Sequence, residues 1–183
     1  MNYKKKIYST PSQTVGPFFG NYLNFDKKKF PFEEKKNIRL KSKKAIISGN
    51  IIYSKNKILK DGFIEYWQVV TNNGKNIFLN LNRAKSYEFK KKKFILYINQ
   101  YNKTNNINLI IFARGILNHL YTKIYFEDDN DYKNDFFFKS IPRNRRNTLI
   151  AKLVKTRNNI KYYSFNIFLN GINETIFFDN HEL

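Results

Sequence analysis

At 183 residues the chain is long enough for one domain with a sizeable core, expected to span 1–183. It contains no cysteine, which excludes disulfides and thiolate metal sites. No apolar run reaches the length of a membrane span and the N-terminus lacks a signal-like apolar region, so a soluble, cytoplasmic protein is expected.

A net charge of +20 points towards a polyanionic partner. The 34 basic residues divide, however, into 7 Arg and 34 − 7 = 27 Lys, and Asn also numbers 27. Lys, Asn, Ile, Phe and Tyr share AT-rich codons, whereas arginine, the better bidentate phosphate ligand, is scarce. Codon bias is the better account of the charge, and nucleic-acid binding is the weaker reading.

Residues 1–8 read as a loose basic arm. Thr10–Phe19 (TPSQTVGPFF) follows, with the proline, glycine and hydroxyl content of a fixed irregular loop. From 26 to 44 the composition is lysine-rich and carries little signal. Ala45–Tyr53 and Phe63–Val70 are strand-like, with a Lys-Asn-Lys turn between them, and Glu65 and Trp67 share one face. Residues 71–93 give no clear pattern, and Phe94–Ile98 is a further strand.

Ile107–Phe126 is the segment the rest of the chain is built around. Ile107, Leu109, Ile111 and Ala113 fall on one face of a strand, and Asn108, Ile110, Phe112 and Arg114 on the other. Gly115 supplies a permissive backbone for a turn, and Tyr121–Phe126 returns to the acidic loop Glu127-Asp128-Asp129. An arginine at the end of an apolar strand is either structural, paired with an acid or backbone carbonyls, or it meets an anionic ligand. Asp131–Ile141 reads as a short helix or loop. Arg143, Arg145 and Arg146 cluster before a strand at Thr148–Val154, and two more strands follow at Tyr162–Leu169 and Glu174–Phe178. About eight short strands and little helix predict an all-β sandwich or barrel.

The chain holds only two histidines, His119 and His181, the latter three positions from the end, so no paired-histidine metal site is expected. No nucleophile elbow, P-loop or dinucleotide fingerprint is present.

Five ordered segments together resemble one family. They are TPSQTVGPFF, DGFIEYWQ (61–68), IFARGILNHLYTKIYFEDD (111–129), RRNTLIAK (145–152) and GINETIFFD (171–179). The chain is similar to the intradiol ring-cleavage dioxygenases, on the alpha-chain side of their protocatechuate-cleaving, two-chain branch. The resemblance implies a β-sandwich of the intradiol type with short helices and irregular loops, and a hetero-oligomer with a beta subunit. It implies a ferric iron, Fe(III), held by two tyrosines and a His-x-His pair of that beta subunit and not by this chain. Asn106 and Asn108 stand here where the histidines would be. It also implies that Thr14, Gly16, Pro17 and Arg114 line the pocket for a small aromatic substrate cleaved with O2, Arg114 meeting its carboxylate. No residue of this chain would be catalytic or bind metal. Two rivals remain: a structural partner of the beta chain that never touches substrate, and a basic nucleic-acid-binding β-domain.

Overall fold

The structure, a computed structural model, describes residues 44–54, 56–72, 75–98, 106–113, 115–116 and 118–178, with side chains described at all of these except 44, 70–72 and 75–80. Strands dominate. In chain order they are β1 (Lys44–Gly49), β2 (Ile51–Tyr53), β3 (Lys57–Ile58), β4 (Gly62–Asn72), β5 (Lys75–Lys85), β6 (Phe94–Ile98), β7 (Asn106–Ala113) and β8 (Leu120–Phe126). After them come β9 (Ile150–Arg157), β10 (Ile160–Ser164) and β11 (Ile167–Phe168). Between β8 and β9 lie two 3-10 turns, Asp131–Asn134 and Arg143–Leu149, flanking a short helix α1 (Phe136–Ser140). The all-β expectation is met, and the short helix falls within the predicted 131–141.

The main sheet has the order β5-β4-β7-β8-β9-β10-β1-β6, and a small second sheet the order β11-β2-β3. The main sheet has two four-stranded halves, β5-β4-β7-β8 and β9-β10-β1-β6. They join through only two parallel residue pairs, Tyr125 with Ile150 and Phe126 with Ala151. The halves fold over one core. Ile107, Leu109 and Ile111 are fully buried there, as the alternation predicts, together with Ile47, Phe94, Leu96, Ile124 and Phe126. Each such side chain contributes about 1.5–3 kcal/mol of transfer free energy. Tyr66 bridges the halves: its hydroxyl accepts from the Tyr97 amide at 3.1 Å and donates to the Tyr97 carbonyl at 3.3 Å. Burial pushes its pKa up to about 12.

Four segments differ from the sequence reading, each for a local reason. Ala45–Tyr53 is two strands in two sheets. At Gly49 the backbone passes so close to Phe165 that a Cβ would lie 1.6 Å from its carbonyl oxygen, and Asn50 donates to the Asn166 side chain at 3.0 Å. Tyr162–Leu169 divides at the same crossing into β10 and β11. The last predicted strand, Glu174–Phe178, is no ladder. It is pinned along β8 by the Thr122 hydroxyl, which donates to the Ile176 carbonyl at 2.7 Å, and by one bridge, Tyr121 with Phe178. Within 71–93 the structure places the eleven-residue β5, paired with β4 from Asn72–Lys75 to Phe63–Lys85.

Candidate functional site

All four residues expected to line a substrate pocket, Thr14, Gly16, Pro17 and Arg114, lie outside the described residues, as does His181. The frame on either side of Arg114 is described. β7 ends at Ala113, Gly115 takes φ +86°, and the Ile116 amide donates to the Ala113 carbonyl at 3.3 Å. Phe112 stacks on Phe63 with ring centroids 4.5 Å apart. The predicted strand–turn–strand unit therefore forms around that position.

The other feature the sequence singled out, the Asn106/Asn108 pair, can be followed atom by atom. β7 and β8 are antiparallel with Asn106 opposite Tyr125 and Asn108 opposite Lys123. Period two turns these residues, with Tyr121, onto the face opposite the main core. There they meet a second, aromatic layer made by Phe137, Phe138, Tyr132 and Phe178. Asn106 donates to the Asp135 carboxylate at 3.3 Å, and the same carboxylate caps α1 by accepting from the Phe138 amide at 3.1 Å. The Tyr121 hydroxyl donates to the Asn108 side-chain oxygen at 2.5 Å.

Lys123 is the unusual member. It is only 6% exposed, and its ammonium sits 3.7 Å from the centroid of the Phe137 ring and 5.9 Å from that of Phe178. Burial pushes its pKa down, partly offset by the Asp135 carboxylate acting through space. Beside it Tyr125 is fully buried, its hydroxyl without a well-formed hydrogen bond. Burial first and then Asp135 raise the pKa of both Tyr121 and Tyr125.

This face does not fit ferric iron. The Tyr121 hydroxyl is already committed to the Asn108 side-chain oxygen, and Tyr125 is fully buried among the rings of Tyr132 and Phe138. The amides of Asn106 and Asn108 are already engaged, and an ammonium occupies the register position beside them. Among the described residues no group of three His, Cys, Asp or Glu could hold a metal ion. No step of a reaction is derived through a metal at this face.

Of the arginine cluster, Arg143 is exposed, while Arg145 and Arg146 turn to backbone carbonyls. Arg145 donates to the Glu174 carbonyl at 2.8 Å, and Arg146 to the Ile141 and Lys139 carbonyls at 2.9 and 2.7 Å. These guanidiniums tie the second 3-10 turn to its surroundings instead of presenting a phosphate-binding patch. No helix among the described residues is long and apolar enough to cross a membrane.

No protein-family model matches the chain. Two curated proteins do so almost end to end. A protocatechuate 3,4-dioxygenase alpha chain from Pseudomonas putida is 28% identical, over 93% of this chain and 96% of its own length. One of the same name from Burkholderia cepacia is 25% identical, over 94% and 98% respectively. The chain is similar to those alpha chains along nearly its whole length. A solved dioxygenase domain from Streptomyces sp. SirexAA-E has the same fold, with a TM-score of 0.51 at 18% identity over 70% of this chain and 80% of that one. The two share a fold, and the alpha-chain likeness spans almost the whole length of the chain.

Sequence reasoning placed Asn106 and Asn108 on this face but passed over Lys123, Tyr125 and Asp135. One signal was available for Lys123. It is the lone charge in Leu120–Phe126, a strand otherwise apolar or aromatic on both faces apart from Thr122, and so a charge that burial was bound to reach.

Proposed function

We propose that this chain is the alpha subunit of a protocatechuate 3,4-dioxygenase, acting in the cytoplasm as one domain paired with a beta subunit in a hetero-oligomer. The assembled enzyme would cleave 3,4-dihydroxybenzoate between its hydroxyls with O2, giving 3-carboxy-cis,cis-muconate. The observation that carries the reading is the near end-to-end similarity to two proteins of that name. The β7–β8 face agrees with it: a layer built on a buried ammonium and buried phenols is suited to a chain whose partner holds the iron. Thr14, the Gly16-Pro17 backbone and Arg114 would shape the substrate end of the pocket. The planar guanidinium of Arg114 matches both oxygens of the ring carboxylate.

Arg114→Ala in the assembled enzyme tests this. Loss of charge-assisted hydrogen bonds worth roughly 1.5–3 kcal/mol lowers kcat/KM for protocatechuate by about 10- to 150-fold. Catechol, which lacks the carboxylate, should lose far less, and the melting temperature should hold. Equal losses on both substrates with a lowered melting temperature would make Arg114 part of the scaffold instead.

A further inference from the structure

The two strand edges at the junction of the half-sheets are treated differently. β8 is covered on its open side by the segment ending at Phe178, through the Thr122 hydroxyl and the Tyr121–Phe178 bridge. β9 pairs with β8 only as far as Ala151; beyond it, among the described residues, β10 is its sole strand partner. On the other side of β9, among the described residues, a carboxylate is met. The Leu153 amide donates to the Glu127 carboxylate at 3.0 Å. Every residue from Lys152 to Arg157 is exposed, including Leu153 at 37% and Val154 at 64%. Among the described residues no strand covers this edge, and it is mixed: two aliphatic side chains set among Lys152, Lys155 and Arg157, with no acid in the strand.

We infer that the free edge of β9 is a docking edge for an acidic extended segment of another chain; on the function proposed above, that chain is the beta subunit. Open strand edges recruit strands, because their N–H and C=O groups lack partners. The charge selects which strand. A second copy of this edge would set Lys152, Lys155 and Arg157 against themselves, and like charges across a strand pair repel. The chain's own segment 1–43 holds only Asp26, Glu33 and Glu34 as acids among a large excess of lysine, so it is mismatched in the same way.

The carboxylate already seated on the Leu153 amide shows the chemistry this edge accepts.

The test uses the full chain and the beta subunit from the same source, in two arms. In the first, Lys152→Glu, Lys155→Glu and Arg157→Glu are combined, and the Kd for the beta subunit is measured at 20 and 200 mM salt. All three side chains are exposed, so the circular dichroism and melting temperature of the isolated chain should be kept. Binding should weaken at least tenfold at low salt, with the wild-type salt dependence largely lost. The second arm exploits the absence of cysteine. Thr156→Cys carrying a photo-crosslinker should join the beta subunit at a segment rich in Asp or Glu. Wild-type affinity in the triple variant, or a crosslink only to a second copy of this chain, overturns the docking edge and leaves the hetero-oligomer standing. Failure of the wild-type chain to bind the beta subunit at all overturns both.

Discussion

The ammonium of Lys123 has exchanged water for the rings of Phe137 and Phe178, and a buried charge without a contacting counter-ion is a standing cost to the fold. Lys123→Met keeps the length of the side chain, packs on the same rings and removes the charge. The isolated chain should be as stable as before or more so in denaturant unfolding. Lys123→Glu sets a carboxylate beside Asp135 and should cost about 3 kcal/mol or more. A large loss from the methionine variant would show that the charge itself holds the layer together. The same physics gives the pH dependence its sign. Folding lowers the pKa of Lys123, so its cost is present at neutral pH and fades as pH rises through the lowered value towards the ordinary ~10.4. Folding raises the pKa of Tyr66 to about 12, so its contribution is intact below ~10 and is lost as pH climbs from there towards about 12. The chain should therefore weaken steeply only above pH ~10. Tyr66→Phe should reduce that alkaline slope by up to about 1.4 kcal/mol per pH unit. An unchanged slope would mean that Tyr66 is not the group held neutral.

At the scale of elements, the crossing of β1–β2 over β10–β11 tolerates no side chain. Gly49→Ala would drive a methyl into the Phe165 carbonyl, and neither backbone can yield without breaking the pairing of Ser48 with Phe165. A loss of more than about 3 kcal/mol, or no soluble protein, is the outcome to look for in urea unfolding. Retained stability would place the crossing elsewhere. The same crossing marks where the sequence stopped being legible. β7 and β8 were readable because alternation, a turn glycine and an acidic loop all coincide over one short stretch. β5 was not, since its Lys, Asn and Arg residues fall on both faces and break the alternation that would mark a strand. The Asn73-Gly74 dipeptide between two eleven-residue strands was the hairpin signal that remained. Nothing local announces that Asn50 leaves one sheet for another, because the cause is Phe165 and Asn166, more than a hundred positions away. Of the expected site, Thr14, Gly16, Pro17 and Arg114 lie outside the described residues, and the Asn106/Asn108 pair was picked out by the family resemblance. Lys123, beside that pair, was not, because what makes it unusual is a cage assembled by α1 and by Phe178.

For the molecule as a whole, the charge of +20 is a uniform outward pressure on the folded state. Raising salt from 20 to 150 mM shortens the screening length from roughly 20 Å to about 8 Å and should raise the melting temperature of the isolated chain. A falling melting temperature would indicate that specific surface pairs, such as Lys161 with Asp128, outweigh the general repulsion. The parallel pairing of β1 with β10 has a further consequence, in time instead of energy. Lys44 and Ile160 are partners, as are Asn50 and Asn166, 116 positions apart. At translation rates of about 5–20 residues per second, roughly 6–23 s pass between the appearance of one partner and the other. Throughout that interval one side of β1 has nothing to bond, while β6, its other neighbour, is made well before β10. The nascent chain thus waits with one edge of β1 open until β10 is synthesised.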